Sequence, residues 1–138
     1  MPRGELGVGA AAREERAAAF DAWLGELFQQ AQPPPGVALA ALGGLGRREC
    51  APYSDLDLMI LHDGVADVGS IAERIWYPVW DAGLTLDHSV RTHDEALAVG
   101  REDTKAALGL LDIRHVAGDE ELTNRLRDLA RDQWRALA

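Results

Sequence analysis

Residues 43–57 read Gly43-Gly44-Leu45-Gly46-Arg47-Arg48-Glu49-Cys50-Ala51-Pro52-Tyr53-Ser54-Asp55-Leu56-Asp57. The two ends of this stretch carry different chemistry. Gly43, Gly44 and Gly46 follow directly on the apolar run Val37–Leu42. Without a Cβ, their backbone amides are open to close approach by a ligand, and successive amides in such a turn form an anion-binding nest. Arg47 adds a planar guanidinium fork suited to phosphate. A glycine turn after a strand is also ordinary backbone geometry, and both readings stand on the turn alone. At the far end Asp55 and Asp57 are separated by one residue at the head of a second apolar run. Residues i and i+2 of a strand project to one face, so the two carboxylates converge. Converging carboxylates raise each other's pKa unless a cation sits between them, and Mg²⁺ accepts hard oxygen ligands of this kind together with substrate phosphates. The alternative for an isolated Asp-x-Asp is a solvated strand end or a helix cap.

Working outward, Phe20, Trp23, Leu24, Leu27 and Phe28 recur at helical spacing, predicting a helix over 13–31. Pro33-Pro34-Pro35-Gly36 stops it. Val37–Leu42 is expected as a strand buried on both faces, and Leu56–Leu61 as a second strand closed by the Asp63-Gly64 turn. A helix is expected across 68–82 and a third strand over Leu84–Val90. Thr92 and Glu95 have the spacing of a capping box, and Asp103 is placed to cap a helix to 111. A short last strand spans Ile113–Ala117, and Leu122, Leu126, Leu129 and Trp134 mark a C-terminal helix over 120–138. Residues 1–12 form a loose lead-in. The order of elements predicts an α/β (α+β) architecture, a small mixed sheet flanked by helices in one domain of 138 residues.

Acidic residues number 23 against 14 basic ones, a formal net charge of −9. Such a surface repels phosphate backbones, which argues against a long nucleic acid as partner. Cys50 is alone, so no internal disulfide forms, consistent with a reducing cytoplasm. No apolar run approaches the roughly 20 residues of a membrane span. The spacings of a dinucleotide-binding Gly-x-Gly-x-x-Gly and of a P-loop are both missing.

Gly-Gly-x-Gly-Arg-x-Glu followed by Pro-x-Ser-Asp-x-Asp resembles the signature of nucleotidyltransferases of the DNA polymerase β superfamily. Trp80–Leu84, His88–Thr92, Leu110–Arg114 and Gly118-Asp119 extend the resemblance to the N-terminal domain of the bacterial protein-PII uridylyltransferases, over about residues 37–120. The resemblance implies a DNA polymerase β-like catalytic core over 37–120. It further implies that Asp55 and Asp57 bind two Mg²⁺ ions (Mn²⁺ being a substitute), and that Gly43, Gly44 and Ser54 cradle the triphosphate. A third carboxylate on a neighbouring strand is implied, and Asp87 is the candidate, as metal ligand and as acceptor of the attacking hydroxyl's proton. Asp81 and His88 are the fallbacks. In the uridylyltransferase branch the position of Asp87 is commonly glycine, whereas related adenylyltransferases carry aspartate there. Arg47 or Lys105 would steady departing pyrophosphate.

The function implied is transfer of a nucleoside monophosphate, UMP or AMP, from UTP or ATP to a tyrosine hydroxyl of the nitrogen-regulatory protein PII in the cytoplasm, with no membrane partner. Two alternatives are a minimal nucleotidyltransferase acting on another protein or a small molecule, and a nucleotide-binding regulatory module. His62-Asp63 and His93-Asp94 spell the dipeptide of HD-type phosphohydrolases, but they sit at a strand exit and a helix start and are read as structural. Trp76, Trp80 and Trp134 are expected in the core, Cys50 as a filler in a turn, and Asp112 with Arg114 as a structural pair.

Overall fold

In the computed structural model residues 9–43 and 56–137 are described. Their elements run α1 (Ala10–Gln30), β1 (Val37–Ala41), β2 (Leu56–His62), α2 (Val68–Asp81), β3 (Leu86–Arg91), α3 (His93–Glu102), α4 (Thr104–Leu111), β4 (Arg114–Gly118) and α5 (Glu120–Leu137). The strands form one sheet in the order β3-β2-β1-β4. β1 pairs antiparallel with both β2 and β4, while β2 and β3 run parallel. A parallel pair requires a crossover, and α2 supplies it. This is the small mixed sheet with flanking helices that the order of elements predicts.

Side-chain alternation sorts the helices into two layers. Leu39, Leu58 and Ile60 point back and pack with Leu24 of α1 and Ile75 of α2. Ala38, Ala40, Met59 and Leu61 point forward and pack with Ala96 of α3, Leu110 of α4 and Leu126 of α5. Every residue of β1 is buried, as its unbroken apolar run requires. α1 ends before the proline run, and Arg74 of α2 donates to the Ala31 carbonyl at 3.1 Å, satisfying an end-of-helix acceptor. α1 begins at Ala10, ahead of the expected residue 13, because alanines extend a helix without leaving an apolar stripe. Among the described residues no helix is long and apolar enough to cross a membrane.

The C-terminal stripe forms α5 as expected, and the buried seam of that helix is Thr123, Leu126 and Ala130, with Leu122 packed beside it. Thr123 is fully buried because its hydroxyl meets His115 Nδ1 at 2.8 Å, so a polar residue occupies a core position that hydrophobic periodicity does not detect. Trp76 is buried at 3 % exposure, but Trp80 and Trp134 are 40 % and 36 % exposed. Trp80 lies just off the inward stripe Ile71, Ile75, Trp76 and Val79 of α2. Finally, the guanidinium of Arg114 reaches back to α1, donating to both carboxylate oxygens of Asp21 at 2.5 and 3.0 Å. This partly buried bidentate pair ties α1 to β4.

Gly118 closes β4 with φ +89, and a Cβ there would strike the Val37 carbonyl and the Phe28 ring and lie 3.0 Å from Ala38 Cα. Backbone cannot yield as a side chain can. Gly118→Ala is therefore expected to cost about 3 kcal/mol or more, combining left-handed strain with overpacking. Urea denaturation checks this, and a loss below about 1 kcal/mol would show that the β4 turn is not rigid.

Candidate active site

The site starts from register. Asp57 is the second residue of β2 and Asp87 the second of β3, and in the parallel ladder they are direct neighbours. Both lie on the forward face, shared with Met59 and Leu61, and adjacent strands stand about 4.8 Å apart. Leu56 N–H donates to the Thr85 carbonyl at 3.0 Å, setting that register from its first residue. On the other side Leu42 N–H donates to the Asp57 carbonyl at 2.9 Å, which brings Gly43 beside the acid. Gly43 has φ +58, and a Cβ on it would stand 3.7 Å from Asp57 Oδ2. Thus the start of the glycine stretch, Asp57 and Asp87 converge.

Above them lies a cavity of about 560 Å³, between the forward face of β2 and β3 and the helices α3 and α4. That volume is within the range of small-molecule sites. Its lining includes the polar side chains of Asp57, Asp87, Ser89, Arg91 and Lys105 and the apolar ones of Val99 and Leu108. Burial raises the Asp57 carboxyl from 3.8 to about 6, the charge of Asp87 pushes it the same way, and Lys105 opposes them. A half-buried acid held beside a second acid is a poor arrangement for stability and a suitable one for a cation. Hard carboxylate oxygens on two strands, facing a cavity with room for phosphates, match the donor set Mg²⁺ takes. Among the described residues no group of three His, Cys, Asp or Glu side chains is placed to hold a metal ion.

Asp55, Ser54, Arg47, Gly44 and Gly46 lie outside the described residues, as does Cys50. Of the fallbacks for the third carboxylate, His88 points to the back face, where its ring packs on Trp76 and Trp80 at 5.4 and 5.2 Å. Asp81 is exposed at the end of α2, which packs on that same back face. Asp81 is not among the residues that line the cavity, and His88 borders it with its ring turned to the two indoles. Both histidine–aspartate dipeptides prove structural. His62 Nδ1 accepts from Gly64 and Val65 N–H at 3.2 Å, and His93 Nε2 donates to the Leu122 carbonyl at 2.9 Å. Thr92 and Glu95 form the expected capping box, and Asp103 caps α4 through Lys105 N–H at 2.9 Å. Sequence reasoning missed Ser89 and Arg91, although their even spacing from Asp87 places them on its face. It also missed the α3–α4 roof, for which the sequence carries no local signal.

No family model matches the chain. It is 56 % identical over 102 residues to a bifunctional uridylyltransferase/uridylyl-removing enzyme of Mycobacterium tuberculosis (strain H37Rv), covering 72 % of this chain and 13 % of that one. The enzyme of the same description from Streptomyces coelicolor is 52 % identical over 118 residues, covering 83 % and 14 %. That from Corynebacterium glutamicum is 50 % identical over 102 residues, covering 74 % and 15 %. Two solved toxin–antitoxin structures, one with AMP-PNP and one a mutant of the MntA-HpeT pair, share the fold at TM-scores of 0.55 and 0.53. Each is 11 % identical and covers 85 % of this chain and 88 % of its own. The chain has a DNA polymerase β-like nucleotidyltransferase fold. It is homologous to one segment of the bifunctional uridylyltransferase/uridylyl-removing enzymes, and spans about one seventh of the length of those curated relatives.

Proposed function

We propose that this chain transfers a nucleoside monophosphate, UMP in the first instance and AMP as the alternative, from a nucleoside triphosphate to a tyrosine hydroxyl of protein PII. The observation that carries this reading is the in-register pairing of Asp57 with Asp87 beside Gly43, on the wall of a cavity of about 560 Å³. The relatives' description as uridylyltransferases supports UMP, and the AMP-PNP named with one structural neighbour supports a nucleotide on this fold.

Asp57 and Asp87, with Asp55 from the adjoining stretch, would hold Mg²⁺, which when bound neutralises charge on the phosphates and favours an in-line geometry. The chain's own groups do the remainder. The amides of Gly43, Gly44 and Gly46, with Ser54 and Arg47, bind the triphosphate. Asp87, exposed at the cavity wall, accepts the proton of the acceptor hydroxyl. The hydroxyl oxygen then bonds to the α-phosphorus as the bond to the bridging oxygen breaks. Pyrophosphate leaves with that electron pair, its charge met by Arg47 and by Lys105 at the start of α4. The apolar lining residues Val99 and Leu108 receive the nucleoside.

Incubation with α-labelled UTP or ATP, Mg²⁺ and purified PII tests the reading. Label on a PII tyrosine is the expected result, and the preferred triphosphate reports the base. Label on another acceptor would overturn the PII assignment, and nucleotide binding without transfer would overturn the enzymatic one.

A further inference from the structure

β3 is an edge strand, hydrogen-bonded through β2 alone among the described strands, and no residue of it is fully buried. An edge strand holds its register less firmly than a central one, yet Asp87 must keep its place beside Asp57. Its forward residues Asp87, Ser89 and Arg91 line the cavity, and its back residues face the rear core. Leu86 and Val90 pack partly against the rear core. His88, between them, has Trp76 at 5.4 Å and Trp80 at 5.2 Å, the second contact edge-on at 75°. Trp76 is buried and fixed by the core, and Trp80 is steadied by an edge contact with Tyr77 at 5.5 Å. The imidazole, itself exposed, is thus flanked by two indoles of the crossover helix.

We infer that His88 is a positioning residue: its ring, clasped by Trp76 and Trp80, holds the Asp87 carboxylate in register with Asp57. The clasp acts from the opposite face of the sheet and touches no substrate. It rests on the reading of Asp87 as a metal-binding acid, for which supporting groups commonly set affinity by tenfold or more.

Mn²⁺ alone, titrated into the full chain and followed by electron paramagnetic resonance, tests it without reference to turnover. Asp87→Asn tests the underlying reading and is expected to weaken Mn²⁺ binding at least tenfold. If it does not, that reading fails, whatever His88 does. Given that loss, His88→Ala should weaken Mn²⁺ about five- to tenfold, and lower kcat similarly while KM for the triphosphate stays within twofold. His88→Phe, which keeps a ring between the indoles, should return both to within about twofold of wild type. Should His88→Ala fail to fold, Trp80→Leu removes the outer, partly exposed wall and is expected to weaken Mn²⁺ about threefold. Unchanged Mn²⁺ affinity in the folded variant, or a Phe variant as impaired as the Ala one, would overturn the inference.

Discussion

Asp57→Asn is expected to lower nucleotidyl transfer by about 10³-fold or more and, in chelator at pH 8, to make the protein more resistant to heat. The loss follows from removing one of the charges that the proposed cation and phosphates need, electrostatic terms being the largest in such sites. The gain follows from the raised carboxyl. A group with pKa 3.8 unfolded and about 6 folded binds its proton more tightly in the folded state. Ionising it therefore destabilises the fold. The penalty is absent below about pH 3.8, grows between there and about pH 6, and is complete above. A shift of about two pKa units corresponds to about 3 kcal/mol for a fully shielded group, and solvent screening of this half-buried one reduces that to about 1–2 kcal/mol. For a chain of this size the melting temperature should rise by about 3–8 °C at pH 8, with the difference closing near pH 4. Scanning calorimetry at the two pH values, beside a labelled-nucleotide assay, decides the matter. A variant that is inactive and also less stable at pH 8 would show that Asp57 is a structural acid.

Asp87→Asn carries the second large effect. Loss of the proposed proton acceptor should lower kcat by about 10²–10⁴-fold with the fold intact. The same change should move Asp57. Without the neighbouring negative charge its pKa falls from about 6 toward 3.8 but stays above that value, because burial, the larger cause, is untouched. Carbon-detected NMR of the carboxyl resonances in chelator measures this. Wild-type turnover in the variant would remove Asp87 from the chemistry, and an unmoved Asp57 would show that the two acids do not sense each other in solution.

Much of the fold was legible because local chemistry and tertiary packing agree. The unbroken run Val37–Ala41 demands burial on both faces and is buried on both. Thr92 with Glu95, and Asp103, name two helix starts by side-chain hydrogen bonding alone. The common face of Asp57 and Met59 follows from strand periodicity. The partnership of Asp57 with Asp87 is of a different kind, since parallel register depends on how α2 folds back over the sheet. The resemblance nominated Asp87, and periodicity by itself did not. The inner seam of α5 escaped because Thr123 is made apolar in effect by His115. Trp80 escaped because a large ring reads as core even where it covers an edge strand. The roof over the acids rests on how α3 and α4 lean toward β2 and β3, which leaves no trace in spacing.

The placement of the two facing acids on separate strands, joined only through a crossover helix, makes any ion shared between them a reporter of assembly. In an extended chain Asp57 and Asp87 are too far apart for joint coordination, so affinity for the shared ion arises only once β2, α2 and β3 have come together. By linkage, each tenfold excess of such an ion over its dissociation constant favours the assembled state by about 1.4 kcal/mol. Asp57, which burdens the fold when bare, would become part of a strut within it when an ion is bound.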